Sequence, residues 1–232
     1  MTSQTKIHKG YADGRWGQVH YSQCGEGRPL VPVHQSPTAS RRFARVLQPL
    51  ARGGIRAMPD YAHIVPAVLD QLRIPQASVL GHHTGAVVVT EAALQFPARV
   101  DKVILNGPVP MTDEERGQWR AMLAREKEWN LRWDGSHIQE LWGFRFNAQP
   151  AWTDLEAFHA NFIHGLLAGR TVWYAHDAVM AYRHEEAVDR LTQPCLILAN
   201  TGDAIYYLSL RARERWPRFA YAELTGGTID II

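Results

Sequence analysis

Residues 77–85 read Ala-Ser-Val-Leu-Gly-His-His-Thr-Gly: an apolar strand, a turn, and the start of the apolar helix pattern Gly85 to Phe96. No other stretch constrains the fold as strongly. A chain that passes from strand to helix this abruptly must hold the middle of the turn, His83, in a strained backbone conformation. Gly81 and Gly85 flank it because side chains there would clash. The middle residue then stands at a helix N-terminus, where free N–H groups stabilise a developing negative charge.

The flanking sequence repeats a strand–helix rhythm. Gly17 to Cys24 alternates like a strand, and Gly25 to Pro29 reads as a turn. Leu30-Val-Pro-Val-His34 is a short apolar strand whose internal Pro32 points to an edge position. Ser40 to Ala51 reads as a helix, Gly54 to Asp60 as a strand and Tyr61 to Leu72 as a helix. Strands follow at Ala77–Gly81, Val100–Asn106, Cys195–Asn200 and Phe219–Leu224, with a helix around Ser209 to Trp216 between the last two. This alternation implies a mostly parallel sheet with helices on both faces. Thr112 to Leu191 departs from it and reads as helical throughout, opening on the capping pattern Thr112-Asp-Glu-Glu115. Six of the eight tryptophans lie there, with Phe144, Phe146, Phe158 and Phe162. They form either the small core of a helical insertion or the walls of an apolar pocket beneath a lid.

The order of these pieces resembles the α/β-hydrolase superfamily, specifically its members with a helical cap after the sixth strand. His34-Gln-Ser-Pro37 is similar to the oxyanion loop, and Leu80 to Gly85 to the nucleophile elbow. Leu198-Ala-Asn-Thr-Gly-Asp203 resembles the seventh strand and its acid. Glu223 to Asp230 resembles the eighth strand and the turn that carries the catalytic histidine. The resemblance implies a core of residues 1–111 and 192–232 around a cap of 112–191. Two segments that members carry have no counterpart: Asp60 runs straight into Tyr61, and the sequence stops at Ile232 instead of continuing into a final helix.

The site departs from the family pattern. His83 occupies the position of the usual Ser, Asp or Cys, and Thr228 and Ile229 stand where the histidine is expected. The triad is therefore degenerate. His83 is the expected catalytic group, as general base on water or as nucleophile, with Asp203 supporting it. Thr84 and Gln35 are the expected oxyanion-hole residues, and His34 and Ser36 the expected substrate contacts. Five histidines of the insertion, His137, His159, His164, His176 and His184, could approach from above. His34, His82 and His83 lack the i, i+4 spacing or nearby carboxylate of a metal site, so no metal is expected. Without GxGxxG or Walker A motifs, no cofactor is expected either.

These residues point to a hydrolase of small ester, lactone or activated carbonyl substrates. A lyase or decarboxylase on the same scaffold, and a catalytically silent binding protein or incomplete hydrolase, are the alternatives. The net charge of +2, from 25 basic and 23 acidic residues, argues against nucleic acid and anionic membranes as partners. Two cysteines make no disulfide framework, and no apolar run suggests a signal peptide or membrane span. The expected setting is the cytoplasm, with a small-molecule substrate as partner; a homodimer is compatible with this reading.

Overall fold

The structure is a computed structural model and describes residues 7–35, 57–148, 154–169 and 172–227. Its centre is a five-stranded sheet, β3 (Leu30–Val33), β4 (Ala77–His82), β5 (Val100–Asn106), β6 (Cys195–Asn200) and β7 (Ala220–Leu224), in that order and parallel throughout. β3 lies at one edge, where Pro32 withholds no ladder donor that an interior strand would need. Ahead of it, β1 (His8–Gly14) and β2 (Gly17–Gln23) form a separate antiparallel pair.

Helices connect the strands. α1 (Met58–Tyr61) and α2 (Ile64–Gln71) precede β4, and α3 (Thr84–Gln95) links β4 to β5. α2 turns Val65, Val68 and Leu69 inward, the face that its apolar periodicity marks. α3 is buried along almost its whole length, from Gly85 to Ala93. Its Val87 and Val89 pack in one cluster with Val79, Leu105 and Ile197, all of them fully buried. Each such side chain contributes about 1.5–3 kcal/mol to folding.

Among the described residues, five helices lie between β5 and β6: α4 (Asp113–Glu128), α5 (Ser136–Ala148), α6 (Leu155–Ala168), α7 (Tyr174–Ala181) and α8 (His184–Asp189). α9 (Tyr206–Arg215) then joins β6 to β7. Thr112 and Glu115 form the reciprocal capping box that the sequence predicts. Arg211 hydrogen-bonds the same Glu115 and holds its carboxyl at about 2. Arg116 grips Glu185 through two bonds of 2.8 and 2.9 Å, which ties α4 to α8.

Two expectations change. The helix Met58–Tyr61 takes in Met58 to Asp60, which the sequence reads as the end of a strand. Pro59 sets the first-turn φ, and Asp60 lies at the positive end of the short helix. β1, with its weak alternation, is not legible in the sequence; pairing with β2 creates it. The predicted helix 40–51 falls outside the described residues. No helix among the described residues is long and apolar enough to cross a membrane.

His184 is the most consequential buried polar residue of the helical segment. Its Nδ1 accepts from the Val109 N–H at 3.2 Å, and its Nε2 meets the Thr90 hydroxyl at 3.0 Å. It therefore clamps the stretch after β5 against α3. Protonation would set an Nδ1–H against the Val109 N–H, and burial, with Arg116 nearby, pushes the imidazole down to about 3. An unfolded histidine protonates near 6.5, so between about 6.5 and 3 the unfolded chain binds the extra proton and stability falls with pH. We expect this group to cost about 1.4 kcal/mol per pH unit below about 6.5. Denaturant midpoints from neutral pH to pH 5 test it. His184→Gln should be less stable at neutral pH and lose less on acidification; parallel slopes would show that His184 does not carry the effect.

Candidate active site

The turn between β4 and α3 has the geometry the sequence demands. His83 has φ 49° and ψ −112°, a conformation that non-glycine residues rarely hold. A Cβ on Gly81 would strike the Gly85 backbone, and a Cβ on Gly85 would strike the carbonyl of Val33 at the end of β3. His83 donates its backbone N–H to Asn106 O at 2.9 Å, and its own carbonyl accepts from Ala86 N at 2.9 Å. Thr84, as the first residue of α3, presents an N–H for which the helix supplies no acceptor.

The His83 side chain reaches across the carboxyl ends of β4, β5 and β6. Its Nε2 hydrogen-bonds Asp203 Oδ2. With the proton on Nε2, Nδ1 carries the lone pair and makes no hydrogen bond among the described residues. Asp203 follows β6 in a tight turn in which its Oδ1 also accepts the Ile205 N–H at 3.1 Å. Burial works to raise its carboxyl, but the charge and hydrogen bond of His83 prevail and hold it below the usual carboxylate range. Asp203 is thus an anion fixed behind the imidazole.

A second chain of side chains supports this pair. His82 Nδ1 hydrogen-bonds Asn106 Oδ1. Asn106 Nδ2 donates in turn to Leu198 O at 3.0 Å and Asn200 Oδ1 at 2.9 Å. The His82 ring lies 4.2 Å from that of His83. His82 and Asn106 are buried and polar, and they lock the strand ends together beneath the turn.

His83 and Thr84 form part of the floor of a cavity that the helical segment walls in. Its volume is about 110 Å³, and it opens to solvent. Apolar side chains such as Met111, Trp119, Leu123 and Phe144 line much of it. Glu126, Arg145, Asn161 and His176 add a polar wall.

The structure brings Gln35, His83 and Thr84 to this cavity, with Asp203 directly behind His83. It does not bring His34 there: that side chain is exposed, its Nδ1 bonding Gln35 O at 2.8 Å. Ser36 lies outside the described residues, as do Thr228 and Ile229. Of the five insertion histidines, His176 lines the cavity and His184 serves the fold. The aromatic residues of the helical segment divide between two places. Trp129 and Phe162 build a small core with Trp142 against it, whereas Trp119 and Phe144 face the cavity. Cys195 offers no competing nucleophile, because burial pushes its thiol up to about 12. Among the described residues, no cluster of three potential metal ligands occurs. Sequence reasoning missed Glu126, Arg145 and Asn161; none stands in a local motif that could flag it.

Comparison with known proteins agrees with the fold. A 2-hydroxy-6-oxononadienedioate/2-hydroxy-6-oxononatrienedioate hydrolase of Pseudomonas putida is 28% identical over 113 residues, covering 38% of this chain and 40% of that protein. The corresponding hydrolase of Klebsiella pneumoniae is 29% identical over 118 residues, covering 40% of this chain and 41% of that protein. The match thus spans about two fifths of the length of these curated relatives. Among solved structures, an E-2-(acetamidomethylene)succinate hydrolase superposes with a TM-score of 0.74 at 15% identity, covering 97% of this chain and 93% of that one. An esterase from Rhodococcus sp. ECU1013 gives 0.68 at 20% identity, covering 96% and 92%. The family described as alpha/beta hydrolase fold matches residues 24–159, more than half of the sequence. With that match, the parallel sheet and the strained turn in place, the chain belongs to the alpha/beta hydrolase fold family.

Proposed function

We propose that the protein is a hydrolase of small esters, lactones or activated carbonyl compounds, and that His83 and Asp203 run its reaction. One observation carries this reading: the elbow side chain is itself a base, with Nε2 engaged by a buried carboxylate and Nδ1 unbonded at the cavity floor. The relatives named above are hydrolases, which supports the reaction class.

The chemistry follows from that arrangement. His83 Nδ1 takes a proton from a water molecule as the water oxygen bonds to the substrate carbonyl carbon. The carbonyl oxygen gains the negative charge and meets the Thr84 N–H at the open end of α3, with the Gln35 segment opposite. Asp203 stabilises the imidazolium that forms. The bond to the leaving group then breaks, and the imidazolium returns its proton to that group. Atoms and charges balance with water as the only co-reactant. Helices α4 to α8 act as a cap that shields the site and shapes the pocket. We place the protein in the cytoplasm, a setting with which its unpaired Cys24 and Cys195 agree.

A second reading, a lyase on the same scaffold, draws on the same observation, since a base without an elbow hydroxyl suits proton transfer that needs no acyl-enzyme. Turnover in isotopically labelled water separates the two. Hydrolysis places one labelled oxygen in the acid product, whereas a lyase places none there.

The test of the site uses activated p-nitrophenyl esters. His83→Ala should lower kcat/KM by about 10²–10⁴-fold, and Asp203→Asn by about 10²-fold. Both variants should remain folded, since neither side chain belongs to the apolar core. Turnover that survives in His83→Ala removes His83 from the reaction. Absence of turnover in the unmodified protein on esters, lactones and activated ketones alike would favour a silent binding protein.

A further inference from the structure

The polar wall of the cavity is built from four helices, one residue each: Glu126 from α4, Arg145 from α5, Asn161 from α6 and His176 from α7. Glu126 is the hub. Its Oε2 is hydrogen-bonded to His176 Nδ1 at 2.7 Å, and its Oε1 lies 3.4 Å from Arg145 Nη2, close enough for charge attraction but without hydrogen-bond geometry. Burial would raise the Glu126 carboxyl, yet His176 and Arg145 hold it below its ordinary range.

The donors of this wall outnumber its acceptors. Arg145 Nε and Nη2 and Asn161 Nδ2 are buried and have no hydrogen-bond partner among the described residues. Asn161 is only 5% exposed. Three donor nitrogens of the wall thus lack a partner, as does one acceptor, Glu126 Oε1. Buried polar groups are almost always paired, so these nitrogens call for a partner that the surrounding side chains do not supply.

We propose that Arg145 and Asn161 form a subsite for a carboxylate of the substrate, with Glu126 and His176 as the positioning residues that aim the guanidinium. The inference deepens the hydrolase reading and rests on it for the position of the reacting carbonyl over His83. A planar carboxylate offers acceptor lone pairs to both edges of a guanidinium and to an amide N–H. It also carries a single charge. Beside the Arg145–Glu126 pair it adds one negative charge to a buried place, where a phosphate dianion would add two. The substrate class is thus an ester, lactone or ketone bearing a carboxylate at a distance from the scissile carbonyl, with an apolar linker against Met111, Leu123 and Phe144.

The experiment compares the p-nitrophenyl monoester of glutaric acid with p-nitrophenyl butyrate. The unmodified protein should prefer the carboxylate ester, and Arg145→Met should reduce the ratio of the two kcat/KM values by about 30-fold, mainly through KM. Asn161→Leu should reduce the ratio by about 10-fold while the melting temperature stays equal or rises, because it removes an unsatisfied buried group. That variant keeps the test sharp if Arg145→Met fails to fold. Free glutarate should raise the melting temperature of the unmodified protein and of His83→Ala, but not of Asn161→Leu or Arg145→Met. If neither ester turns over and glutarate still stabilises in an Arg145-dependent way, the subsite stands and the hydrolase reading falls. If esters turn over with no preference and the ratio ignores both substitutions, the hydrolase reading stands and the subsite falls.

Discussion

The contact on which the site depends is one of backbone against backbone. Gly85, at the start of α3, lies so close to the carbonyl of Val33 that no side chain fits between them. Gly81 and Gly85 approach each other equally closely across the turn. This packing anchors the N-terminus of α3 at the carboxyl ends of β3 and β4. It therefore brings Gln35, His83 and Thr84 to one point, although they come from two separate strand ends. The parallel register does the rest: Val33 lies opposite Gly81, and His82 opposite Asn106, so the strand ends finish level. Open α/β sheets collect ligands outside the carboxyl ends of their strands, and here that edge is also where the helical segment leaves the sheet.

The polar groups along that edge divide into two kinds. Asn106 and Asp203 are buried and engaged on more than one side, by the His82 ring, the Leu198 carbonyl, Asn200, the His83 ring and the Ile205 N–H. In a low-dielectric setting such bonds strengthen one another and fix the geometry. His83 differs, because one ring nitrogen is held by Asp203 and the other is left for the cavity. Rigid surroundings with one unspent lone pair are what acid–base chemistry requires, since a reactive group then meets its substrate without first breaking an internal bond.

Much of the core was legible in the sequence. The strand Val100–Asn106 and the strand Cys195–Asn200 stand where their apolar runs end, because parallel strands buried on both faces leave little ambiguity. The strained turn after β4 was legible because its glycines answer a steric demand that few other turns impose. The capping box at Thr112 was legible for a similar local reason. What was not legible depends on tertiary partners. β1 exists through β2, and Met58–Tyr61 is helical through Pro59 and its neighbours. The polar wall was hidden because Glu126, Arg145, Asn161 and His176 come from four helices whose faces carry mixed apolar and polar residues. Nothing in their spacing announces that they converge. His34 stands beside a cavity residue, Gln35, yet lies outside the cavity lining, because alternation along the chain turns it outward.

A histidine in the elbow changes more than the identity of one atom. A hydroxyl at that position needs a separate imidazole between itself and the acid, because its oxygen is too close to the backbone to touch a carboxylate across the strand ends. The His83 side chain is long enough to reach Asp203 directly. In the proposed reaction, base and turn merge into one residue, and water supplies the nucleophile. The elbow's strained backbone still serves a purpose, since it presents the imidazole beside the Thr84 N–H. The oxygen of a polarised carbonyl and the water that attacks it then meet two adjacent residues of a single turn. In the proposed reaction, a base that carries its own carboxylate needs only the turn to aim it.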